Sequence, residues 1–342
     1  MLCAEIGRGR RSLSFSGQEI AAIATATSHQ RARWRGFDRL LVVDENEDAA
    51  RTSVGAGSQP IRFGWEDWEW DASLFDGAAD YYRRGRIPYA EGLAGALEAV
   101  LGLDGRGQLL DVGCGPGVIA LRLAHLFDDV VGLDPDADML DEAKRAALQQ
   151  GTTNVSWVRL RAEELPAVLG TFRVITFAQS FHWMDRAKVA SAVASMLEPG
   201  GAVVQIDPGR DGLASCQAPR GRYPVAPFDA IDHLRKSYLG PDRRAGQGFR
   251  NTSPSDEDEI FQAAGFLPET CVSVPDDRIL DRTTDDLIAW VFSASSTAPH
   301  LFGDRVGQFE ADLRRVLEDA SSSGQFSVPL TDTTIRIRRI RT

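Results

Sequence analysis

The sequence has few of the residues that would mark a disulfide scaffold, a metal centre or a membrane protein. Its four cysteines are scattered singly, and none forms a CxxC pair or a cluster with histidine. Such spacing does not fit a disulfide framework or a structural zinc site. No apolar run approaches the roughly 18–20 residues that a membrane-spanning helix needs. We therefore expect a reduced protein without a membrane anchor.

The sequence also has fewer basic than acidic residues. The chain has 38 basic and 49 acidic residues, which gives a net charge of −11 at pH 7. This balance makes the chain a poor electrostatic partner for nucleic acid or anionic lipid. The N-terminal segment lacks the apolar core that is typical of a secretory signal. We expect a cytoplasmic protein with neither nucleic acid nor membrane as its partner, and the sequence does not indicate its oligomeric state.

The first 60 residues differ in composition from the rest. Residues 1–60 mix Arg, Ser, Thr, Gly and acidic residues, and they end in the Gly/Ser/Pro-rich stretch SVGAGSQP. This pattern is typical of a linker or a poorly structured extension; a small docking element is the alternative. We expect a single domain over residues 61–342. A Gly/Pro/Arg-rich segment, 208–252, interrupts its pattern and is predicted to be a lid insertion.

From about residue 108 the chain alternates between strand-like and helix-like segments. The predicted strands are apolar runs at Gln108–Gly113, Asp129–Asp134, Val155–Leu160, Phe172–Ser180 and Ala202–Asp207. Alternation at this spacing indicates an α/β fold, a doubly wound and mostly parallel sheet with helices on both faces. Ligands bind to such sheets at the carboxyl ends of the strands. The candidate site is therefore expected in the residues that follow each strand.

The C-terminal third continues with predicted helices and strands. A strand is predicted around Thr270–Leu280, and helices are predicted at Thr284–Ser293 and Asp304–Ala320. The last apolar residues, Ile335 and Ile337, alternate with polar ones. That alternation predicts a half-exposed final strand.

The strongest functional signal is the segment LLDVGCGPG. A strand ends at Asp111, and Gly113, Gly115 and Gly117 form a tight turn before a helix. Glycines at such a turn let the backbone approach a ligand without a clash from Cβ atoms. The dinucleotide fingerprint GxGxxG would place its third glycine where this chain has Val118. The GxGxG spacing therefore favours a loop for a ligand without a pyrophosphate over an NAD site.

These residues resemble the class I S-adenosylmethionine-dependent methyltransferases, in particular their type 11-like small-molecule branch. The resemblance covers Phe75–Ile206 well and the C-terminal third more loosely. It implies a seven-stranded Rossmann-like sheet with an antiparallel last strand, and S-adenosyl-L-methionine as the cofactor. It also implies methyl transfer to an O, N or C nucleophile of a small molecule. A methyltransferase acting on protein or RNA, and a non-catalytic cofactor-binding homologue, are the alternatives.

The resemblance assigns the cofactor contacts to particular positions. Asp111 and the three glycines at 113, 115 and 117 would wrap the methionine and ribose portions of the cofactor. Asp134, at the end of the second predicted strand, would accept hydrogen bonds from both ribose hydroxyls, as a carboxylate at a strand end is suited to do.

Further cofactor contacts are implied after the next strands. Met139 would pack on the adenine face. The backbone of Ala162 and the side chain of Glu163 would meet the adenine edge, with Glu164 as an equally plausible neighbour. Gln179 would line the methionine end of the cofactor.

The acceptor side is expected after the fourth predicted strand, in the segment AQSFHWMD. His182 is the candidate catalytic residue, as a base or an orienting donor, and Trp183 would be an aromatic wall for the substrate. A packed histidine and tryptophan are the alternative interpretation. Tyr82, next to Tyr81, would fold over the site as a second substrate contact; a core position is the alternative for both tyrosines.

Overall fold

The computed structural model describes residues 11–14, 71–209, 221–245, 248–249 and 256–341. The extension predicted at residues 1–60 lies outside the described residues except for 11–14, where only the backbone is described. The lid predicted at 208–252 is described in part.

One large sheet forms the centre of the described chain. In chain order the strands are β1 (Arg11–Ser14), β2 (Gln108–Val112), β3 (Asp129–Asp134), β4 (Val155–Arg159), β5 (Phe172–Ala178), β6 (Leu197–Asp207), β7 (Arg244–Ala245), β8 (Gly248–Phe249), β9 (Thr270–Val274), β10 (Ile279–Thr283), β11 (Gln325–Pro329) and β12 (Thr333–Arg338). The helices are α1 (Ala79–Gly85), α2 (Leu93–Leu101), α3 (Val118–Leu123), α4 (Ala137–Gln150), α5 (Arg186–Ser195), α6 (Phe228–Leu239), α7 (Glu257–Ala263), α8 (Thr284–Phe292) and α9 (Val306–Ala320).

The strand order confirms the predicted fold class. Across the sheet the strands lie in the order β1-β9-β12-β6-β5-β2-β3-β4. Strands β2 to β6 pair in parallel, whereas β12 is antiparallel to both of its neighbours, β6 and β9. The seven strands from β9 to β4 form the mostly parallel, doubly wound sheet that the sequence predicts. An eighth strand, β1, pairs in parallel with β9 at the edge.

The sheet is buried on both faces. In β2, Leu109 and Leu110 are both fully buried, and they belong to different apolar clusters on opposite sides. Successive side chains of a strand point to opposite faces. Helices α2 and α3 cover one face, through residues such as Leu97, and α5 covers the other through residues such as Val193. Because helices cover both faces of the sheet, the sequences of its strands are continuous apolar runs.

A third apolar cluster joins α6, α8 and α9 to the antiparallel strand pair β10–β11. Phe302 and Phe309 stack there with ring centroids 4.0 Å apart. Helix α1 joins this block through Gly85, where an added Cβ would lie 2.2 Å from the carbonyl oxygen of Ala289 in α8. The two helices therefore touch backbone to backbone, and this contact fixes the position of α1.

Two C-terminal predictions differ from the structure. The strand predicted around Thr270–Leu280 is divided into β9 and β10, which belong to different sheets. The final strand, β12, is predicted to be half-exposed, but it lies inside the sheet, and Arg338 near its end is 2% exposed. The guanidinium of Arg338 is tolerated there because Glu269 and Asp258 bind it.

None of the helices in the described ranges combines the length and hydropathy that spanning a bilayer requires.

Candidate active site

The glycine turn after β2 is fixed by its neighbours. The backbone N–H groups of Gly113 and Cys114 donate to the carbonyl oxygen of Leu133 at 2.7 and 3.0 Å. Gly113 has φ +68°, and an added Cβ would lie 2.6 Å from Cβ of Ser180, the second residue after β5. The turn therefore packs against the ends of β3 and β5, and glycine is required at position 113 by both conformation and space.

Gly115 and Gly117 have different surroundings. Gly115 lines the candidate site, and an added Cβ would meet no described atom within 4 Å, so the absence of a side chain leaves room for a ligand. Gly117 is the N-cap residue of α3 with φ +76°, and an added Cβ would lie 2.4 Å from the Trp157 ring. Gly117 lines neither of the two cavities described below, so its contribution is the close packing of the turn.

Asp111 is a buried carboxylate whose oxygens are already bonded. It is 1% exposed. One oxygen accepts from the Thr176 hydroxyl at 2.8 Å, and the other accepts from the Ala120 backbone N–H at 3.1 Å. Burial raises the pKa of Asp111 to about 6, against the lowering effect of these two hydrogen bonds. The side chain lies at the floor of the site and fastens β2 to β5 and α3.

Asp134 is the carboxylate that faces the smaller cavity. Its two oxygens accept backbone N–H groups, one from Gly115 at 2.8 Å and one from Asp136 at 2.9 Å. Each carboxylate oxygen can accept a second hydrogen bond. Burial raises the pKa of Asp134 to about 6, opposed by the two backbone donors. The carboxylate is thus held in place and retains acceptor capacity toward the cavity.

Most of the predicted cofactor residues line a cavity of about 70 Å³. The predicted residues that line it are Tyr82, Gly113, Gly115, Asp134, Met139, Ala162, Glu163, Gln179 and Trp183. Of the two acidic candidates after β4, Glu163 lines the cavity, whereas the Glu164 carboxylate accepts from the Arg161 backbone N–H at 2.8 Å.

A second cavity of about 470 Å³ adjoins the first. It shares Gly113, Gly115 and Gln179 with the smaller cavity and is the one that Asp111 and His182 line. The His182 ring lies 4.6 Å from the Trp183 ring, centroid to centroid. The structure therefore brings His182 and the cofactor residues to one region, at the carboxyl ends of β2, β3 and β5.

Gln179 lines both cavities in an unusual backbone conformation. Its φ is +56°, which residues other than glycine rarely adopt. The next residue, Ser180, fixes this turn by donating its hydroxyl to the carbonyl oxygen of Val112 at 2.6 Å. Strained residues that the surroundings hold in place are concentrated at functional sites. The strain here presents the Gln179 side chain at the junction of the two cavities.

Several residues that line the cavities do not follow a strand of the large sheet. Phe75 lines both cavities and makes edge-to-face contacts with Tyr82 and Trp183, at centroid distances of 6.4 and 6.3 Å. The far wall of the larger cavity is formed by residues of α6 and by residues between 290 and 297. These residues follow no strand of the large sheet, so the strand-end rule does not identify them; the aromatic run before α1 is the one available signal for Phe75.

The described part of segment 208–252 lies at the larger cavity. Helix α6 contributes Phe228, Asp229 and Ile231 to the wall, and Phe228 packs edge to face on Trp290 at 5.2 Å. In the described ranges, no three His, Cys, Asp or Glu side chains are grouped so that they could hold a metal ion.

Comparison with known proteins identifies a domain in the centre of the chain. Residues 109–201 match the methyltransferase domain family. An uncharacterised methyltransferase of Mycobacterium tuberculosis is 37% identical over 132 residues, which are 38% of this chain and 51% of that protein. A ubiquinone biosynthesis O-methyltransferase of Colwellia psychrerythraea is 36% identical over 98 residues, 28% of this chain and 39% of that one. The chain spans about half or less of the length of these curated relatives.

A solved structure, the YcgJ protein of Bacillus subtilis, covers 73% of this chain and 98% of its own at 18% identity, with a TM-score of 0.42. That likeness is too weak to carry an argument, and the fold rests on the strand order. The family match and the curated relatives confirm the predicted family, and the domain implies an S-adenosylmethionine-type cofactor. The chain therefore contains a methyltransferase domain at its centre, and the findings support the class I, type 11-like kind that the sequence resembles.

Proposed function

We propose that the protein transfers a methyl group from S-adenosyl-L-methionine to an O, N or C nucleophile of a small molecule. One observation carries this proposal: a cavity with the cofactor-type residues adjoins a larger cavity, and Gln179 and Trp183 line both. A ligand in each cavity would meet at this junction. Direct methyl transfer requires such an arrangement, because reacting atoms must approach to about 3–3.5 Å.

The residues of the smaller cavity fit the adenosyl group. Asp134 retains acceptor capacity for two vicinal hydroxyls, and Met139 offers a buried apolar surface for the adenine ring. The open space beside Gly115 leaves room for a ligand against the backbone. Glu163 is held by the Asp185 backbone N–H at 2.9 Å, which places its carboxylate at the edge of the same cavity.

When bound, the cofactor supplies an activated methyl group, so the chain's own residues supply position and shelter from water. Gln179, held at positive φ, lies at the junction of the cavities. The aromatic side chains of Phe75, Tyr82 and Trp183 pack on one another there and exclude water from the line of transfer.

His182 is the proposed catalytic residue. It lines the larger cavity, in which the acceptor would lie, next to the Trp183 ring. If the acceptor is protonated at working pH, the imidazole removes its proton as a general base. If the acceptor is already a free nucleophile, the same side chain orients it.

Mass spectrometry of a metabolite extract incubated with the protein and S-adenosylmethionine labelled in its methyl group tests the proposal. We expect a labelled small molecule whose formation depends on the protein. Asp134→Ala, which removes the proposed ribose contact, provides the matched inactive control. Calorimetry with S-adenosylhomocysteine separates binding from turnover. Binding without any labelled product would support a non-catalytic homologue, and label on protein or RNA would contradict the small-molecule acceptor.

A further inference from the structure

Arg235 of α6 is a buried cation in the wall of the larger cavity. It is 5% exposed, and arginine is seldom buried to this degree unless it is paired. Its Nε donates to the carboxylate of Asp232, three residues earlier in the helix, at 2.9 Å. This ion pair explains why the charge is tolerated there. It occupies only one side of the guanidinium, and the two terminal nitrogens form bonds elsewhere.

The terminal nitrogens of Arg235 bind the loop that follows α6, residues 240–243. One nitrogen donates to the carbonyl oxygens of Gly240 and Asp242 at 3.4 and 3.2 Å, and the other donates to the carbonyl oxygen of Pro241 at 3.5 Å. Among the described residues, no other side chain forms a hydrogen bond to this loop. Hydrogen bonds from an ionised donor are stronger than neutral ones. One side chain therefore fastens three consecutive residues.

The same loop forms part of the wall of the larger cavity. Arg243 lines the cavity directly. Strand β7 begins at the next residue and lies against the turn Ser295–Thr297, whose residues line the cavity as well. Neither the loop nor this turn lines the smaller cavity. A loop with few contacts of its own opens easily, so its position depends on the residue that fastens it.

We propose that Arg235 is a positioning residue for the acceptor: it fastens the loop 240–243 as a wall of the larger cavity and thereby determines which acceptors fit. The inference rests on the proposed function for its setting, because that function places the acceptor in this cavity. Arg235 acts through the loop, since its guanidinium already bonds to Asp232 and to the loop carbonyls. The cofactor side is unaffected, because Arg235 does not line the smaller cavity.

The first arm measures whether Arg235 holds the loop. Trypsin cleaves after Arg243, and cleavage of a folded protein there requires the loop to open locally. Arg235→Gln should increase the initial rate of this cleavage about tenfold or more, because the bonds from a charged donor are lost. Mass spectrometry of the peptides identifies the cleavage site. Lys236→Gln is the matched control, since the Lys236 side chain binds the same Asp232 at 2.7 Å but neither lines a cavity nor bonds to the loop.

The second arm measures the effect on the acceptor, using the small molecule that is labelled most strongly in the metabolite extract. Arg235→Gln should raise its KM about tenfold and leave kcat within about twofold, as expected when only binding is weakened. Calorimetry should show an affinity for S-adenosylhomocysteine within about twofold of the parent. Arg235→Lys keeps the charge but not the planar fork, and it should recover part of the loss in KM.

The proposal is overturned if Arg235→Gln is cleaved at the parent rate, if its acceptor KM is that of the parent, if both ligands are weakened equally, or if Lys236→Gln has the same effects. Melting temperatures show whether Arg235→Gln is folded. If it is not, Asp232→Asn loosens Arg235 without removing it and should raise the cleavage rate and KM about threefold; parent values would overturn the proposal. A parent protein that labels no small molecule would reject the proposed function, and the cleavage rates would then decide whether Arg235 fastens the loop.

Discussion

Asp134 accepts hydrogen bonds from two backbone N–H groups through its carboxylate oxygens, and these bonds fix its position. This pre-organisation makes the residue sensitive to protonation. A protonated carboxyl loses acceptor capacity, and burial has moved the pKa to about 6, into a range where protonation is easily tested. At the residue scale, the charge state of one side chain should therefore control cofactor affinity.

We expect the affinity for S-adenosylhomocysteine to be constant above about pH 7 and to fall as the pH decreases below about 6. The affinity decreases in acid because only the ionised carboxylate, which predominates above the pKa, accepts hydrogen bonds from both ribose hydroxyls. Asp134→Asn should bind about tenfold or more weakly at pH 7.5, since it loses bonds to a charged acceptor. It should also lose much of the pH dependence. Calorimetry between pH 5 and 8 measures both effects.

Asp138→Asn is the control for this experiment, because Asp138 is an exposed carboxylate in the first turn of α4, four residues after Asp134. It should keep both the affinity and the pH dependence of the parent. If Asp134→Asn keeps the full pH dependence, the titrating group is another one, such as Asp111, and the ribose assignment loses its support.

His182 offers a second test at this scale. His182→Ala should lower turnover about 10²–10⁴-fold if the imidazole is a general base, and the acidic limb of the pH–rate profile should disappear. Cofactor affinity should change little, because His182 lines the larger cavity and not the smaller one. A smaller loss with an unchanged profile would indicate an orienting role. Parent-like turnover would show that His182 is a packing residue.

At the scale of elements, the central strands could be predicted because their surroundings are uniform. Strands β2, β3 and β5 are covered on both faces, so each is an apolar run that begins where the sequence predicts. The division of the predicted strand at 270–280 was missed, although Pro275 and Asp276 give a turn signal there. Local pattern does not show that β9 and β10 belong to different sheets, because pairing is decided by distant partners.

The same distinction applies to the site. Asp134 and Gln179 follow strands, so their convergence could be predicted from the topology of a parallel sheet. Phe75 and Trp290 reach the cavities by packing between segments far apart in the chain. Periodicity carries no information about such contacts, and the acceptor side was accordingly the less predictable half.

Helix α6 is the element expected to affect the acceptor without affecting the cofactor. Phe228 lines the larger cavity and packs on Trp290, but it does not line the smaller cavity. Phe228→Ala should leave S-adenosylhomocysteine affinity within about twofold and reduce kcat/KM for the acceptor about tenfold, because an apolar wall is lost. His233→Ala, on an exposed position of α6, is the control. Equal losses of cofactor and acceptor binding would indicate a structural role instead.

At the scale of the whole molecule, a buried ion cluster connects the last strand to the rest. Arg338 of β12 binds Glu269 and Gln205 and lies 2.6 Å from Asp258 of α7. Its guanidinium also lies 4.5 Å from the centre of the Phe261 ring. One side chain thus joins β12, β6 and α7, and its loss would remove the nearest cation from the buried Glu269 carboxylate, which also faces Arg336 at 3.9 Å.

Arg338→Ala should lower the free energy of unfolding by about 3–5 kcal/mol, the typical cost of breaking a buried ion pair from one side. Urea denaturation measures this change. Arg314→Ala removes a half-exposed arginine paired with Asp285 and should cost about 0–1 kcal/mol. Similar losses for the two variants would mean that the cluster contributes little to stability.

The backbone contact between α1 and α8 has a consequence for protein engineering. Residues 79–85 and 284–292 lie on either side of the family-matched segment, yet Gly85 touches the backbone at Ala289. The wall of the larger cavity that Tyr82 of α1 and Trp290 of α8 line is therefore built from two segments that are distant in the chain. Replacing the region before the glycine turn with that of a relative would misplace this wall unless α8 were exchanged as well. We expect chimeras that exchange α1 and α8 together to acquire the substrate choice of the relative.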